Sequence, residues 1–206
     1  LAVVTSFAIR FLVASSAFWL LDQTGVKMAA AAGAIFFSGL ALPLVVFPEA
    51  FLPAYPSSAW AKALAGWDDP RAKAAFALLA RESVAVPGPG EGRIGEVARE
   101  HGAIVATGVN ETAVETSGTL YNTLLVHDEH GSLVLKHRKL VPTNHERLVW
   151  GQGDGAGLRA VPTSAGRIGG LICWENYMPL ARFALYESGV EIYLAPTADD
   201  GETWQH

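Results

Sequence analysis

The chain has 206 residues, 15 basic against 20 acidic side chains and a net charge of -5, which excludes a strongly basic nucleic-acid binder. Hydrophobic residues make up 50% and charged ones 17%, against about 25% charged in an ordinary globular domain, so disorder is excluded and one sizeable core is expected. The single cysteine, Cys173, excludes an intrachain disulfide framework or a multi-cysteine metal site and fits a reducing compartment.

Residues 1–47 carry only Arg10, Asp22 and Lys27, and residues 28–47 carry no charge. That run is long enough to cross a bilayer. Its Gly33, Gly39, Pro43 and many alanines suit a buried helix followed by a buried strand better, so a membrane span is not the favoured reading. Residues 44–47 then read as a strand buried on both faces and stopped by Pro48. Asp69 predicts an N-cap with Pro70 at the first helical position, and helical spacing continues to about Ser83. PGPG at 87–90 reads as a loop. An amphipathic helix follows, with Ile94, Val97, Ala98 and His101 on one stripe and Gly102 ending it.

Residues 103–111 predict a strand, and residues 120–137 a hairpin turning at Asp128 to Gly131. Residues 157–175 read as a strand pair, Met178 to Ser188 as a helix closed by Gly189, and residues 190–197 as a further strand. The pattern is α/β with mixed strand directions, and with no repeat or linker it reads as a single domain over residues 1–206.

Three polar residues fall just past the ends of apolar strands, where open α/β sheets place reacting groups. Glu49 follows LVVFP, where burial raises a carboxyl pKa and suits it to act as a base. Lys139, in KHRKL, offers a fixed positive charge for a reacting atom that gains electrons. Cys173 stands at a strand-to-helix junction, where backbone N–H groups and the positive end of the following helix are expected to lower a thiol pKa. Each has a bland alternative: a small buried hydrophobe, a solvated lysine, the polar start of a loop. The set of three together tips the reading toward chemistry.

Other features weigh less. His127 and His130 flank Asp128 and Glu129, but residues at a hairpin turn point apart, so a solvated turn is favoured over a metal site. GQGDG at 151–155 lacks the spacing and lysine of a phosphate loop and reads as a tight turn. Among Trp60, Trp67, Trp150, Trp174 and Trp204, most suit core or interface positions; Trp174 beside the cysteine, and Tyr55, are the candidates for a substrate pocket.

FPEAFLPAYP (47–56), KHRKLVPTNHERLVWGQGDG (136–155) and LICWENYMPLARFALYESGVEIYLAPTAD (171–199) closely resemble, in order, the three active-site segments of the nitrilase superfamily. CWENYMPLAR resembles the true nitrilase branch more than the amidases and carbamoylases. The resemblance implies a four-layer αββα sandwich with Glu49, Lys139 and Cys173 as catalytic residues and Glu146 helping to fix the lysine and the substrate. It also implies hydrolysis of an organic nitrile to acid and ammonia through a cysteine thioimidate, with no metal or organic cofactor. A cytoplasmic homodimer or larger homo-oligomer is expected, pairing through the helix after the nucleophile. That helix, 178–188, offers Leu180, Phe183, Ala184 and Leu185 as core or interface. An amide hydrolase with the same residues, or a non-catalytic fragment, are the competing readings.

The resemblance runs from about Leu44 to His206. It covers only the earlier part of the family domain, and residues 5–43 lack the charged amphipathic helix expected there. The expectation is therefore a domain without its C-terminal part and with an atypical stretch at 1–43, such as a reading-frame slip or a replaced segment would leave.

Overall fold

The computed structural model describes residues 44–198 except 114, 116 and 117. The expectations for residues 1–43 and for Trp204 lie outside the described residues.

Two β-sheets face each other between helices. The first holds β1 (Leu44–Val46), β2 (Val84–Ala85), β3 (Ile104–Thr112), β4 (Leu120–His127) and β5 (Leu133–Arg138). Its order is β1-β3-β4-β5, with β2 pairing the far end of β3. β1 and β2 run parallel to β3, whereas β3, β4 and β5 form an antiparallel meander. The second sheet is β6 (Val161–Thr163), β7 (Gly166–Gly170) and β8 (Ile192–Leu194), antiparallel and then parallel.

Side chains alternate across a strand, and this decides what each face meets. Ile104, Ala106, Leu124, Val126 and Leu135 of the first sheet pack against Val161, Ile168 and Leu194 of the second and against Ile172 just beyond β7. Val109 and Leu125 point the other way, against Val84 and Val86, with Ile94 of the helix layer. Since β3 and β4 are covered on both faces, they are buried almost throughout, as their apolar runs require.

Among the described residues, four helices form the outer layers: α1 (Ser58–Leu64), α2 (Pro70–Glu82), α3 (Pro89–His101) and α4 (Pro179–Glu187). The Asp69 side chain accepts from the Arg71 N–H at 2.8 Å ahead of α2, and Gly102 ends α3 at φ 57°, the two signals read in the sequence. Leu79 of α2 and Ala61 of α1 pack with Ala50, Leu120 and Trp150, while Ala181 and Leu185 of α4 pack on Leu171 behind the second sheet. The result is the expected αββα layering.

Several expectations change. PGPG is not all loop, because Pro89 and Gly90 already form the first turn of α3. α1 and β2 were not anticipated. Cys173 does not run straight into a helix; it opens a 3-10 turn over Cys173–Tyr177, and α4 starts only at Pro179. The hairpin at 128–131 is as expected, with Asp128 Oδ1 accepting from His130 N and Ser132 N at 3.0 and 2.8 Å. Within α4, Leu185 is core, whereas Leu180 and Phe183 are 83% and 59% exposed. Among the described residues no helix is long and apolar enough to cross a membrane.

Candidate active site

Glu49 sits in a tight turn after β1, with Ala50 at φ 45°. The turn lies flat on β3 at Gly108, where a Cβ would collide with the Pro48 carbonyl oxygen and come within 2.6 Å of Ala50 N. A glycine is thus the residue that lets this turn approach the sheet. Glu49 is buried, and its Oε1 accepts from Asn122 Nδ2 at 2.8 Å and from Lys139 Nζ at 2.7 Å. Its Oε2 accepts from Ala198 N at 3.1 Å.

Lys139 follows β5 directly, and its N–H continues the ladder to Asn122 O at 2.8 Å. By strand alternation Lys139 shares the inter-sheet face with Leu135 and His137. Arg138 and Lys136 take the opposite face, where both reach the carboxylate of Glu111. Lys139 Nζ also donates to Glu146 Oε2 at 2.7 Å. Glu146 is held by a 3-10 turn over Asn144–Leu148: its Oε2 accepts from Thr143 N at 2.6 Å and its Oε1 from the Tyr55 hydroxyl at 2.8 Å.

Cys173 is buried and adopts φ 52°, an uncommon left-handed backbone for a residue with a side chain. Cys173 N donates to Pro196 O at 2.9 Å, and Asn176 Nδ2 donates to Cys173 O at 2.7 Å, which hold that conformation. Its thiol is within electrostatic reach of Glu49, Lys139 and Glu146, and the Thr197 side chain lies against it.

The titration behaviour follows from burial and from this crowding of charge. Burial raises the pKa of Glu49 above the ordinary carboxylate value, and the charge of Glu146 adds to it; Lys139 and Asn122 oppose. Burial works against the Lys139 cation, but the charges and hydrogen bonds of Glu49 and Glu146 more than offset it, so its pKa is raised and it stays protonated. Burial, with the charges of Glu146 and Glu49, pushes the Tyr55 hydroxyl far above its usual range, so it remains a donor.

The Cys173 thiol departs from expectation. Burial and the charge of Glu49 push it up to about 11, against the smaller lowering by Thr197 and Lys139. The helix expected to lower it begins six residues later, at Pro179. At neutral pH the resting thiol is protonated, and a base beside it is needed to make it a nucleophile.

The structure therefore brings the buried Glu49, Lys139, Glu146 and Cys173 together, with the half-buried Tyr55 at their side. Trp174 differs: it is 45% exposed, with its ring 5.0 Å from that of Tyr177. Trp150 is core, its Nε1 donating to Asn110 Oδ1 at 2.7 Å, whereas Trp67 is fully exposed. His127 is buried against Glu91 at 2.8 Å while His130 is exposed, so the two imidazoles do not converge. Asn122, Thr197 and Ala198 were missed in the sequence. Asn122 was readable in principle, as a polar residue that shares its face of β4 with Leu120 and Leu124.

Residues 14–206 match the family model described as carbon-nitrogen hydrolase. The chain is 44% identical over 167 residues to a nitrilase of Bradyrhizobium diazoefficiens, a match that covers 81% of this chain and 51% of that protein. It is 45% identical over 161 residues to an aliphatic nitrilase of Sinorhizobium fredii, covering 78% and 51%, and 42% identical over 163 residues to nitrilase 1 of Arabidopsis thaliana, covering 79% and 46%. The chain thus spans about half the length of these relatives. Among solved structures, a carbon-nitrogen hydrolase from Helicobacter pylori superposes with a TM-score of 0.60 at 20% identity, over 87% of this chain and 58% of that one. An amidase from Nesterenkonia sp. superposes with a TM-score of 0.54 at 20% identity, over 87% and 59%. The layered fold and the sequence match agree, and the chain belongs to the carbon-nitrogen hydrolase family.

Proposed function

We propose that this site hydrolyses an organic nitrile to the carboxylic acid and ammonia, with Cys173 as nucleophile. The observation that carries the reading is the buried Lys139 ammonium lying 2.7 Å from both Glu49 Oε1 and Glu146 Oε2, with the buried Cys173 thiol beside this charged group. The nitrilase relatives supply the substrate class.

In the first step Glu49 takes the thiol proton as the sulfur–carbon bond forms and passes it to the nitrile nitrogen, which gains the displaced electron pair, giving a thioimidate and restoring the carboxylate. Lys139, with the Trp174 N–H, stabilises the charge that develops. Glu49 then activates a water that adds to the thioimidate carbon; the tetrahedral species expels ammonia and leaves a thioester. A second water cleaves the thioester, releasing the acid and restoring the thiol. Glu146 keeps Lys139 charged and placed, and Tyr55 holds Glu146 from the substrate side. No step in this scheme draws on a metal or organic cofactor.

In this reading Trp174 and Tyr55 line the edge of the substrate pocket, and the protein works as a cytoplasmic homo-oligomer. Leu180, Phe183 and Tyr186 of α4, with Tyr177 just before it, present an exposed apolar row suited to a second copy of the chain.

The test is ammonia release from a panel of aliphatic, aromatic and arylacetonitriles and the matching amides, run beside Cys173→Ala. Release from nitriles that disappears in the variant supports the proposal. Release from amides alone would replace it with an amide hydrolase, and silence from a folded sample would mark a non-catalytic chain.

A further inference from the structure

The strongest group outside the proposed reaction is a buried pair, Glu175 and His137, both fully out of solvent. Glu175 Oε2 accepts from Ile172 N at 2.6 Å, and Glu175 Oε1 accepts from Leu140 N at 2.6 Å. Ile172 immediately precedes Cys173, and Leu140 immediately follows Lys139. One carboxylate therefore bridges the two chain segments that carry the nucleophile and the cation, each one peptide away from its reactive residue.

His137 Nε2 lies 3.0 and 3.2 Å from the two oxygens of the same carboxylate, and with an acceptor opposite, Nε2 is the protonated nitrogen. His137 stands on β5 two residues before Lys139 and on the same face, so it ties the carboxylate to the strand that delivers the lysine.

We infer that Glu175, oriented by His137, is a positioning residue that sets the distance between the Cys173 thiol and the Lys139 ammonium. Two features favour a positional role over a general packing one. Both backbone bonds are short and charge-assisted, and they end on the neighbours of the reactive residues, not on remote parts of the fold. Cys173 also holds a strained φ of 52°, a conformation that persists only when its surroundings over-determine it. The carboxylate also suits no substitute: glutamine would turn an NH2 group toward one of the two N–H donors, leaving one anchor and one buried clash of donors.

The role in turnover rests on the nitrile-hydrolase reading, but the effect on the thiol does not, and the two are measured separately. The experiment compares wild type, Glu175→Gln, His137→Leu and His137→Gln by thermal unfolding, by the pH profile of Cys173 alkylation with iodoacetamide, and by kcat and KM on a nitrile that the wild type turns over. Expected for Glu175→Gln is a rise in the pH midpoint of alkylation, since Lys139 no longer stabilises the thiolate, and a fall in kcat of about 10²-fold with KM within threefold. His137→Leu is expected to shift both readouts in the same direction but less, and His137→Gln, which restores a donor, to recover most of that loss. A folded Glu175→Gln with the wild-type alkylation profile overturns the inference. Should Glu175→Gln fail to fold, the histidine pair decides: identical alkylation profiles for His137→Leu and His137→Gln overturn it, and recovery by glutamine alone supports it. If the wild type releases no ammonia, the alkylation profiles still decide, and only the functional reading falls.

Discussion

Lys139 Nζ lies 2.7 Å from Glu49 Oε1, with both side chains entirely removed from solvent. The same nitrogen lies 2.7 Å from Glu146 Oε2, so one cation holds two buried carboxylates that would otherwise repel. Lys139→Met is expected to lower stability at pH 7 by about 3–5 kcal/mol, the cost of leaving buried charge without its partner. Its stability should then rise as pH falls and one carboxyl takes up a proton. Thermal melts of the variant against pH check this, and a variant as stable as wild type at pH 7 would contradict it.

Glu49 acts on Cys173 in two opposed ways, and one substitution separates them. Its charge raises the thiol pKa, yet it is the base that the attack needs. Glu49→Gln is therefore expected to lower the pH midpoint of Cys173 alkylation while cutting ammonia release by about 10²–10⁴-fold. Alkylation and turnover falling together would show that the fold around the thiol had been lost instead.

Gly108 sets how closely the Glu49 turn approaches β3. Gly108→Ala places a methyl group against the Pro48 carbonyl and 2.8 Å from Glu49 Cα, so the turn must lift. Expected are a loss of about 1–3 kcal/mol in urea unfolding and a larger proportional loss of turnover than of stability. Wild-type kinetics in this variant would mean that the turn has another seat.

Glu111 gives the fold an acid limit away from the candidate site. Its carboxyl is buried, which alone would raise its pKa, but hydrogen bonds from Arg138 and Thr123 and the charge of Lys136 prevail and hold it below the ordinary 4.5. A lowered folded-state pKa contributes stability that is present above about pH 4.5 and is lost as pH falls through the folded value. Glu111→Gln should be less stable than wild type by about 1.5–3 kcal/mol at pH 7, with the gap closing below pH 4.5. A gap that does not narrow as pH falls below 4.5 would contradict the assignment.

Much of this was legible from residues that act locally. Asp69 with Pro70, Gly102 after a helical stripe, and Asp128 to Gly131 between two apolar runs each carry their own turn or cap chemistry. Glu49, Lys139, Glu146 and Cys173 were legible from the three motif segments. The rest depends on pairing between distant segments. β2 is two residues long and exists because Val84 and Ala85 pair with Glu111 and Thr112. Ala198 N reaches Glu49 across 149 positions, which no local pattern records. The thiol pKa ran opposite to expectation for a related reason: burial and Glu49 outweigh local backbone dipoles, and both come from tertiary structure.

The central claim is that Cys173 forms a covalent bond to the nitrile carbon under the control of Glu49 and Lys139. Intact-mass analysis of the chain, acid-quenched during turnover of a nitrile and followed by peptide mapping, tests it most directly. The account predicts one adduct, on the peptide carrying Cys173, with the mass of the nitrile added or of the acid less water, and none in Cys173→Ala. Ammonia released equally by wild type and Cys173→Ala, with no adduct on either, would contradict it.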